Sequence, residues 1–410
     1  MARSEHAPAR TRRDEALALA GLALSAFILN TSEFVPIGLL TDISAAFGIG
    51  EAAAGVMISA YALAVALLAL PLMLATSKVR PRRLILATLA LFCVGQLCSA
   101  AAPTFAVLVL TRLVVACSHA VFWSVVTPYA VRVVAPERAS FAMSFVVTGS
   151  SLAMVLGLPL GRALGQALGW RATFLFVAAV AVACVALLAE GFPRLEVGEP
   201  FTLRRLPELV RNRPLLGIYL ATFVYVVGYY TGYSYVEPFL GQVVGLAPAT
   251  VTATLTCFGI AGVVGSWLFG RLYDGHRMAF MGCMLAGVIV ALLLLGPSAA
   301  LGAGGAMAVC LLWGAASTAY NVSAQAEVIR VTDVASSAVA MSIFSGMFNA
   351  AIAAGSAVGS AVCAAGALRS LGVVGAALCL VALAYFSLRL SRLLGRHAGV
   401  PQQAAAGADA

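Results

Sequence analysis

Apolar stretches about twenty residues long recur almost without pause from residue 16 to residue 394. A helix needs about 20 mainly apolar residues to cross the hydrocarbon core of a bilayer. Only 10% of the 410 residues are charged, against 62% hydrophobic. A soluble domain needs roughly 25% charged residues to dress its surface. The chain length is therefore spent on membrane spans and not on a water-facing core. The polar breaks place the spans at 16–40, 52–76, 83–102, 104–130, 139–165, 170–190, 214–238, 248–270, 278–297, 299–326, 336–365 and 370–394. The expected fold is an all-α membrane protein with twelve transmembrane helices.

The basic residues give this topology an orientation. With the N-terminus in the cytoplasm, the cytoplasmic side collects Arg3, Arg10, Arg12, Arg13, Lys78, Arg80, Arg82, Arg83, Arg132 and Arg138. It also collects Arg194, Arg204, Arg205, Arg211, Arg213, Arg271, Arg277, Arg330, Arg389, Arg392 and Arg396. These are 21 of the 25 Lys and Arg residues. The other side receives Arg162, Arg171 and Arg369, and Arg112 is left inside a span. Short cytoplasmic loops are enriched in Lys and Arg, so the alternation fits an even number of spans in each half. The net charge of +9 is then a matter of topology, and no nucleic-acid partner is implied.

The Pro-containing basic stretch 191–213 divides the chain into halves that echo each other. Gly48 before the second span matches Gly245 before the eighth, and Arg80 after the second matches Arg277 after the eighth. Both offsets are 197 residues (245 − 48 and 277 − 80). Parallel repeats of six helices are the layout of a large class of secondary transporters. The expected organisation is an N-terminal tail over 1–15, a six-helix half over 16–190, a central linker over 191–213, a second six-helix half over 214–394 and a tail over 395–410. Tails and linker are expected in the cytoplasm, and the 1–15 segment reads as a tail and not as a cleaved signal peptide.

Ionisable groups inside spans cost energy and mark function. Glu33 lies in the first span, in Asn30-Thr31-Ser32-Glu33-Phe34-Val35-Pro36. It must face a polar cavity or carry a proton, and the competing reading is a hydrogen bond that packs two helices. Arg112 lies in the fourth span, either in a structural ion pair or acting on a nearby carboxyl group. His119 follows two helical turns later on the same face, with Trp123 one turn beyond. Tyr225, Tyr229 and Tyr233 precede Glu237 at intervals of four, a stripe that offers flat apolar faces and hydroxyls to a ligand or, for those near the outer end, forms part of an interfacial aromatic belt. Glu237 is expected near the interface as a gating or snorkelled carboxylate. Asn349, in the eleventh span, is a further candidate ligand contact. Asn321 and Gln325 suggest hydrogen bonding between helices, and Glu327 is expected to be interfacial beside Arg330. Gly157, Pro159 and Gly161 allow close helix approach and a bend in the fifth span.

Other chemistry is excluded. The chain has no G-x-x-x-x-G-K-[ST] loop and no H-E-x-x-H, and its loops are too short to house an enzyme site. Its nine cysteines are scattered through apolar stretches without a C-x-x-C pair. They read as small buried hydrophobes, and no metal or cofactor is expected. The energy for transport would have to come from an ion gradient or from the substrate's own gradient.

Several segments carry a family likeness. They are Asn30 to Leu40, Ser118-His119-Ala120-Val121-Phe122-Trp123-Ser124, Ala153 to Arg162, Gly169-Trp170-Arg171-Ala172-Thr173-Phe174, Tyr233 to Phe239 and Phe344 to Asn349. In these the chain resembles the major facilitator superfamily, in its drug:proton antiporter branch. More narrowly, it is similar to the bacterial sugar efflux transporters that export arabinose and thiogalactosides. Arg112 falls where the superfamily carries its fourth-span arginine. The loop after the second span reads Ala75-Thr76-Ser77-Lys78-Val79-Arg80-Pro81-Arg82-Arg83 and lacks the family's acid, which appears only in the second half as Asp274 of Gly270-Arg271-Leu272-Tyr273-Asp274. The resemblance implies a monomeric carrier of the bacterial inner membrane. It would exchange protons for a sugar or related small molecule by alternating access between the halves. Glu33, Arg112 and His119 would couple protons. Asn30, Trp123, Tyr225, Tyr229, Tyr233, Glu237 and Asn349 would meet the substrate. Gly157, Pro159, Gly161, Asp274 and Arg277 would serve the conformational change. A multidrug exporter of chloramphenicol-like compounds, an uptake symporter and a non-transporting receptor or scaffold are the alternatives.

Overall fold

The structure, a computed structural model, describes residues 12–135, 138–197, 209, 211–332 and 334–397. Most of the expected N-terminal tail, the middle of the central linker and the last residues of the C-terminal tail lie outside the described residues. Among those described, the long helices are α1 (Arg12–Gly38), α2 (Glu51–Thr76), α3 (Pro81–Ala100), α4 (Phe105–Arg132), α5 (Ala139–Leu168) and α6 (Trp170–Gly191). They continue with α7 (Arg213–Tyr233), α8 (Pro248–Leu272), α9 (Arg277–Ser298), α10 (Gly302–Arg330), α11 (Val334–Ala364) and α12 (Leu371–Tyr385), the last prolonged by a π-helical turn and by Ser391–His397. Apart from α5, each contains or lies in a segment long and apolar enough to cross a membrane, with α9 and α10 together in one run. The chain is an all-helical membrane protein.

Helix α1 starts four residues earlier than its apolar stretch. Asp14 and Glu15 lie in its first turn, where the helix dipole favours acids. Arg13 pairs with Glu190 at 2.6 Å and Arg138 with Glu15 at 2.9 Å.

The chain forms two compact units. The first comprises residues 1–47 and 67–201, the second 48–66 and 202–410. The start of α2 thus belongs to the second unit, where Ser360 donates to the Ala52 carbonyl at 2.8 Å and Gln242 donates to Glu51. Within the first unit α1 packs on α5 and α6, and α3 packs on α4 and α6. Within the second, α7 packs on α11 and α12, and α9 packs on α10 and α12. Adding six to each helix number of the first scheme gives the second. The turns repeat as well. Gly48 and Gly245 both take left-handed backbone (φ 64° and 76°), as do Gly169 and Gly366 (φ 85° and 69°), a further pair 197 residues apart (366 − 169).

Small residues set the closest helix contacts. Along α5, Gly149, Gly157, Gly161 and Gly165 face Ala23, Thr31 and Val35 of α1 and Leu39 just after it, which follow the same spacing. A Cβ at Gly149 would strike the Ala23 carbonyl oxygen. In α11, Gly355 and Gly359 lie in the same way against the Val227 and Thr231 carbonyls of α7. Apolar side chains offer little drive for association in lipid, so such backbone-to-backbone packing holds membrane helices together. Large apolar side chains such as Leu67, Val182, Trp267 and Leu388 remain more than half exposed, as lipid-facing residues do.

Candidate functional site

Pro36 has no backbone N–H, so it cannot bond the carbonyl of Ser32 four residues before it. Arg112 of α4 takes that place. Its Nη2 donates to the Ser32 carbonyl and its Nη1 to Ser32 Oγ, each at 2.9 Å. Gln96 of α3 also reaches Ser32 Oγ, at 2.5 Å. Arg112, Ser32 and Gln96 are all buried, and the guanidinium lies 5.8 Å from the Phe174 ring centroid. Glu33 is the next residue. Its Oε2 stands 3.8 Å from His119 Nε2. This is an ion-pair distance too long for a direct hydrogen bond. Arg112 also acts electrostatically on Glu33. The structure thus brings Glu33, Arg112 and His119 together, as a helix turn of α1 held by α4.

One turn on from His119, the partly exposed Trp123 lies with its ring centroid 6.1 Å from the imidazole and 5.6 Å from Phe122. Asn30, one turn before Glu33, donates to Ser150 of α5 at 2.5 Å. Gly157 and Gly161 sit in the α1–α5 contact, against Thr31 and Val35. Pro159, between them, leaves the Val155 carbonyl without its helical partner. The same contact has a further anchor: Arg162, expected at the outer surface, is buried and donates to the Gly38 carbonyl at the end of α1 at 2.7 Å.

In the second unit the expected tyrosine stripe belongs to a larger aromatic cluster. Tyr225 is 2% exposed and packs 4.4 Å from Tyr320. Tyr229 contacts Tyr225, Tyr230, Tyr233 and Trp313 at ring centroid distances between 5.1 and 5.9 Å. Tyr233 adds Phe258 at 5.3 Å. Tyr229 is the partly exposed member of the stripe, and Tyr225 and Tyr233 back it as core. Asn349 is buried and donates to the Ser345 carbonyl at 3.0 Å. Its Oδ1 accepts no hydrogen bond from the described residues. Gln325 and Asn321 bond one another at 3.4 Å along α10, where bonding between helices was expected.

Two acidic residues have surroundings that the sequence does not show. Helix α7 stops at Tyr233, so Glu237 falls beyond it, in the short turn Val236–Pro238, and is 4% exposed. Pro238 cannot continue the helical bonding, and Tyr235 is wedged against Gly55 and Gly359. Glu327 is fully buried. Arg277 Nε and Nη2 grip its carboxylate at 2.7 and 2.5 Å, and the Tyr273 hydroxyl donates to it. The sequence neighbour Arg330 instead approaches Asp274, at 3.7 Å on an exposed surface. Burial and the Glu327 carboxylate push the Tyr273 phenol above its ordinary pKa. Sequence reasoning did not single out Gln96, Ser150, Phe258, Trp313 or Tyr320. The only signal for the last two was aromatic residues seven apart on one helix.

Two units whose helices pair in the same way, with a half-buried glutamate in the first helix and a buried arginine and histidine beside it, have the layout of a secondary transporter. The family model for the Major Facilitator Superfamily matches residues 22–339 and 219–406. The chain belongs to that superfamily, whose members are transporters and not enzymes. Solved structures agree on the fold. A bacterial homologue of the human lysosomal transporter Spinster, in an inward-facing and unoccupied conformation, aligns with a TM-score of 0.80 at 16% identity, over 94% of this chain and 99% of that one. The nucleoside transporter NupG, as a point variant, aligns at 0.74 and 13% identity, over 91% and 99%. A peptide transporter of the POT type, also a point variant, aligns at 0.74 and 14% identity, over 92% and 95%. This chain is therefore a secondary active carrier of a small molecule, with several membrane-spanning helices.

Proposed function

We propose that the protein is a proton-coupled exporter of sugars or related small molecules, in the bacterial inner membrane, belonging to the drug:proton antiporter branch. The observation that carries this reading is the Glu33 carboxylate, set 3.8 Å from His119 and next to a residue clamped by Arg112. A carboxylate in such a place can accept a proton, and an imidazole within reach can pass one on. Arg112 keeps its charge throughout and so acts as an anchor. Glu33 takes up a proton from outside as substrate leaves and releases it inside. Tyr229 and Trp123 offer ring faces to a substrate, and Asn30 and Asn349 offer polar contacts. Gly157, Pro159 and Gly161 let α5 move against α1, while Asp274 and Arg277 act at the ends of α8 and α9. Termini and linker face the cytoplasm, and the carrier works as a monomer.

The four aromatic rings around Tyr229 favour a second reading, export of flat apolar compounds of the chloramphenicol type. One experiment tests both. Purified protein in sealed vesicles is given an imposed pH gradient, and proton movement is followed on adding arabinose, a thiogalactoside or chloramphenicol. We expect one of these to move protons and Glu33→Gln to abolish the movement. Unchanged coupling in Glu33→Gln would overturn the proton role of Glu33, and the responding compound decides the substrate class.

A further inference from the structure

We infer that Ser32 and Gln96 are positioning residues for Glu33, forming with Arg112 a clamp that closes on the carbonyl opened by Pro36. The inference rests on the proton-coupling reading of Glu33 and adds two residues that act through it.

A proline inside a helix leaves a free carbonyl one turn back, and the helix there bends or loosens unless another group fills the gap. In α1 this weak point falls on the residue before Glu33. Three helices meet at it. Helix α4 supplies Arg112 to both the carbonyl and the hydroxyl of Ser32, and α3 supplies Gln96 to the same hydroxyl. Gly95 makes the α3 contact possible, because a Cβ there would lie 2.7 Å from Val115 Cγ2, on the turn of α4 after Arg112. One turn further along α3, Ser99 and Thr111 hydroxyls bond at 2.9 Å and fix the register of the two helices. Ser32 and Arg112 are 1% exposed and Gln96 0%, so water does not compete for these bonds.

The hydroxyl chemistry sharpens the argument. Ser32 Oγ has two lone pairs and one proton. As placed, it faces a nitrogen from Arg112 and a nitrogen from Gln96, and the buried Gln96 Oε1 has no hydrogen-bond partner among the described residues. The two ends of an amide are assigned from their hydrogen bonds and not from their shape. Turning the Gln96 amide over lets Ser32 donate its proton to Oε1 while it accepts from Arg112. The order is then Arg112 to Ser32 to Gln96, with each bond polarising the next. Since α4 carries both Arg112 and His119, the clamp fixes the turn of α1 on the same helix that presents His119 to Glu33.

The test is the infrared difference spectrum of the purified full-length protein between low and high pH, read at the carbonyl stretch of protonated carboxyl groups. The band that Glu33→Gln deletes belongs to Glu33. We expect Gln96→Met and Ser32→Ala to shift that band, and Ser32→Thr, which keeps the hydroxyl, to return it towards the wild-type position. A role in packing alone would not distinguish Ala from Thr in this way. If Glu33→Gln deletes a band and neither Gln96→Met nor Ser32→Ala moves it, the inference is overturned while the reading of Glu33 stands. If Glu33→Gln deletes no band, that reading falls and the inference falls with it. Thermal unfolding of each variant identifies any that fails to fold, and the remaining variant of the pair then decides.

Discussion

Replacing Glu327 with glutamine is expected to destabilise the second unit by about 3 kcal/mol. The carboxylate is fully buried and takes two hydrogen bonds from Arg277, at 2.7 and 2.5 Å, and a third from Tyr273. A hydrogen bond to a charged group contributes about 1.5–3 kcal/mol, but three on one acceptor do not add independently. Removing one partner of a fully buried ion pair costs about 3–5 kcal/mol, because the other charge is left without compensation; the Arg277 side chain is 14% exposed and partly reaches water, so this range is an upper bound here. Glutamine keeps the shape and one acceptor oxygen, which places Glu327→Gln at the low end and Glu327→Ala at the high end. Removing both charges, as Glu327→Met with Arg277→Met, is expected to recover most of the loss, since a buried pair gains little over a well-packed apolar pair. Arg277→Lys keeps the charge but loses the two-pronged grip and should fall between. The assay is equilibrium unfolding of purified protein in mixed micelles, followed by tryptophan fluorescence. The Asp274–Arg330 pair, at 3.7 Å with Asp274 90% exposed, is the internal control, and Asp274→Asn should change nothing measurable. A Glu327→Gln variant within about 0.5 kcal/mol of wild type would refute the reasoning. So would a double variant as unstable as the sum of its two singles.

Two further outcomes follow from packing. Gly149→Ala drives a methyl group into the Ala23 carbonyl oxygen and should cost about 1–3 kcal/mol, while Gly270→Ala, whose new Cβ meets nothing within 4 Å, should stabilise α8 slightly; loss of stability in both or in neither, measured by the same unfolding assay, would show that the α1–α5 contact is not the tight one described. Tyr225→Ala should cost about 3–5 kcal/mol because the ring is buried, whereas Tyr229→Phe, which loses only the hydroxyl's bond with Ser317, should cost about 1 kcal/mol and raise KM in the vesicle assay; an unaltered KM would remove Tyr229 from the substrate surface.

Much of the fold was legible in the residues, because a membrane makes composition a direct statement about structure. An apolar run of sufficient length has one stable form in lipid, a helix that satisfies its own backbone. The repeat was legible for a related reason. A left-handed turn selects glycine, so Gly48 and Gly245 marked equivalent turns before any contact was known. The candidate site was only partly legible. Glu33, Arg112 and His119 stood out because charge is costly inside a span, and the structure sets them side by side. Their supports did not stand out. Ser32 and Gln96 are ordinary polar residues in sequence, and bonds across 64 and 80 positions follow from helix rotation and register.

What the sequence alone determined is the list of helices, their order and the ionisable groups among them, since these depend on local composition and on the cost of charge in lipid. The tertiary structure decided the partners. By sequence, Glu327 belonged with Arg330, three residues away. In the fold, side chains at the end of a helix meet whatever the neighbouring helices bring, and Arg277 arrives from 50 positions earlier with a two-pronged grip. Tyr225 and Tyr229 differ in the same way. Both lie on one stripe of α7, yet α10 covers the first with Tyr320 and leaves the second partly open. Which face of a helix is covered depends on the position of its neighbours, and that information is spread over the whole chain.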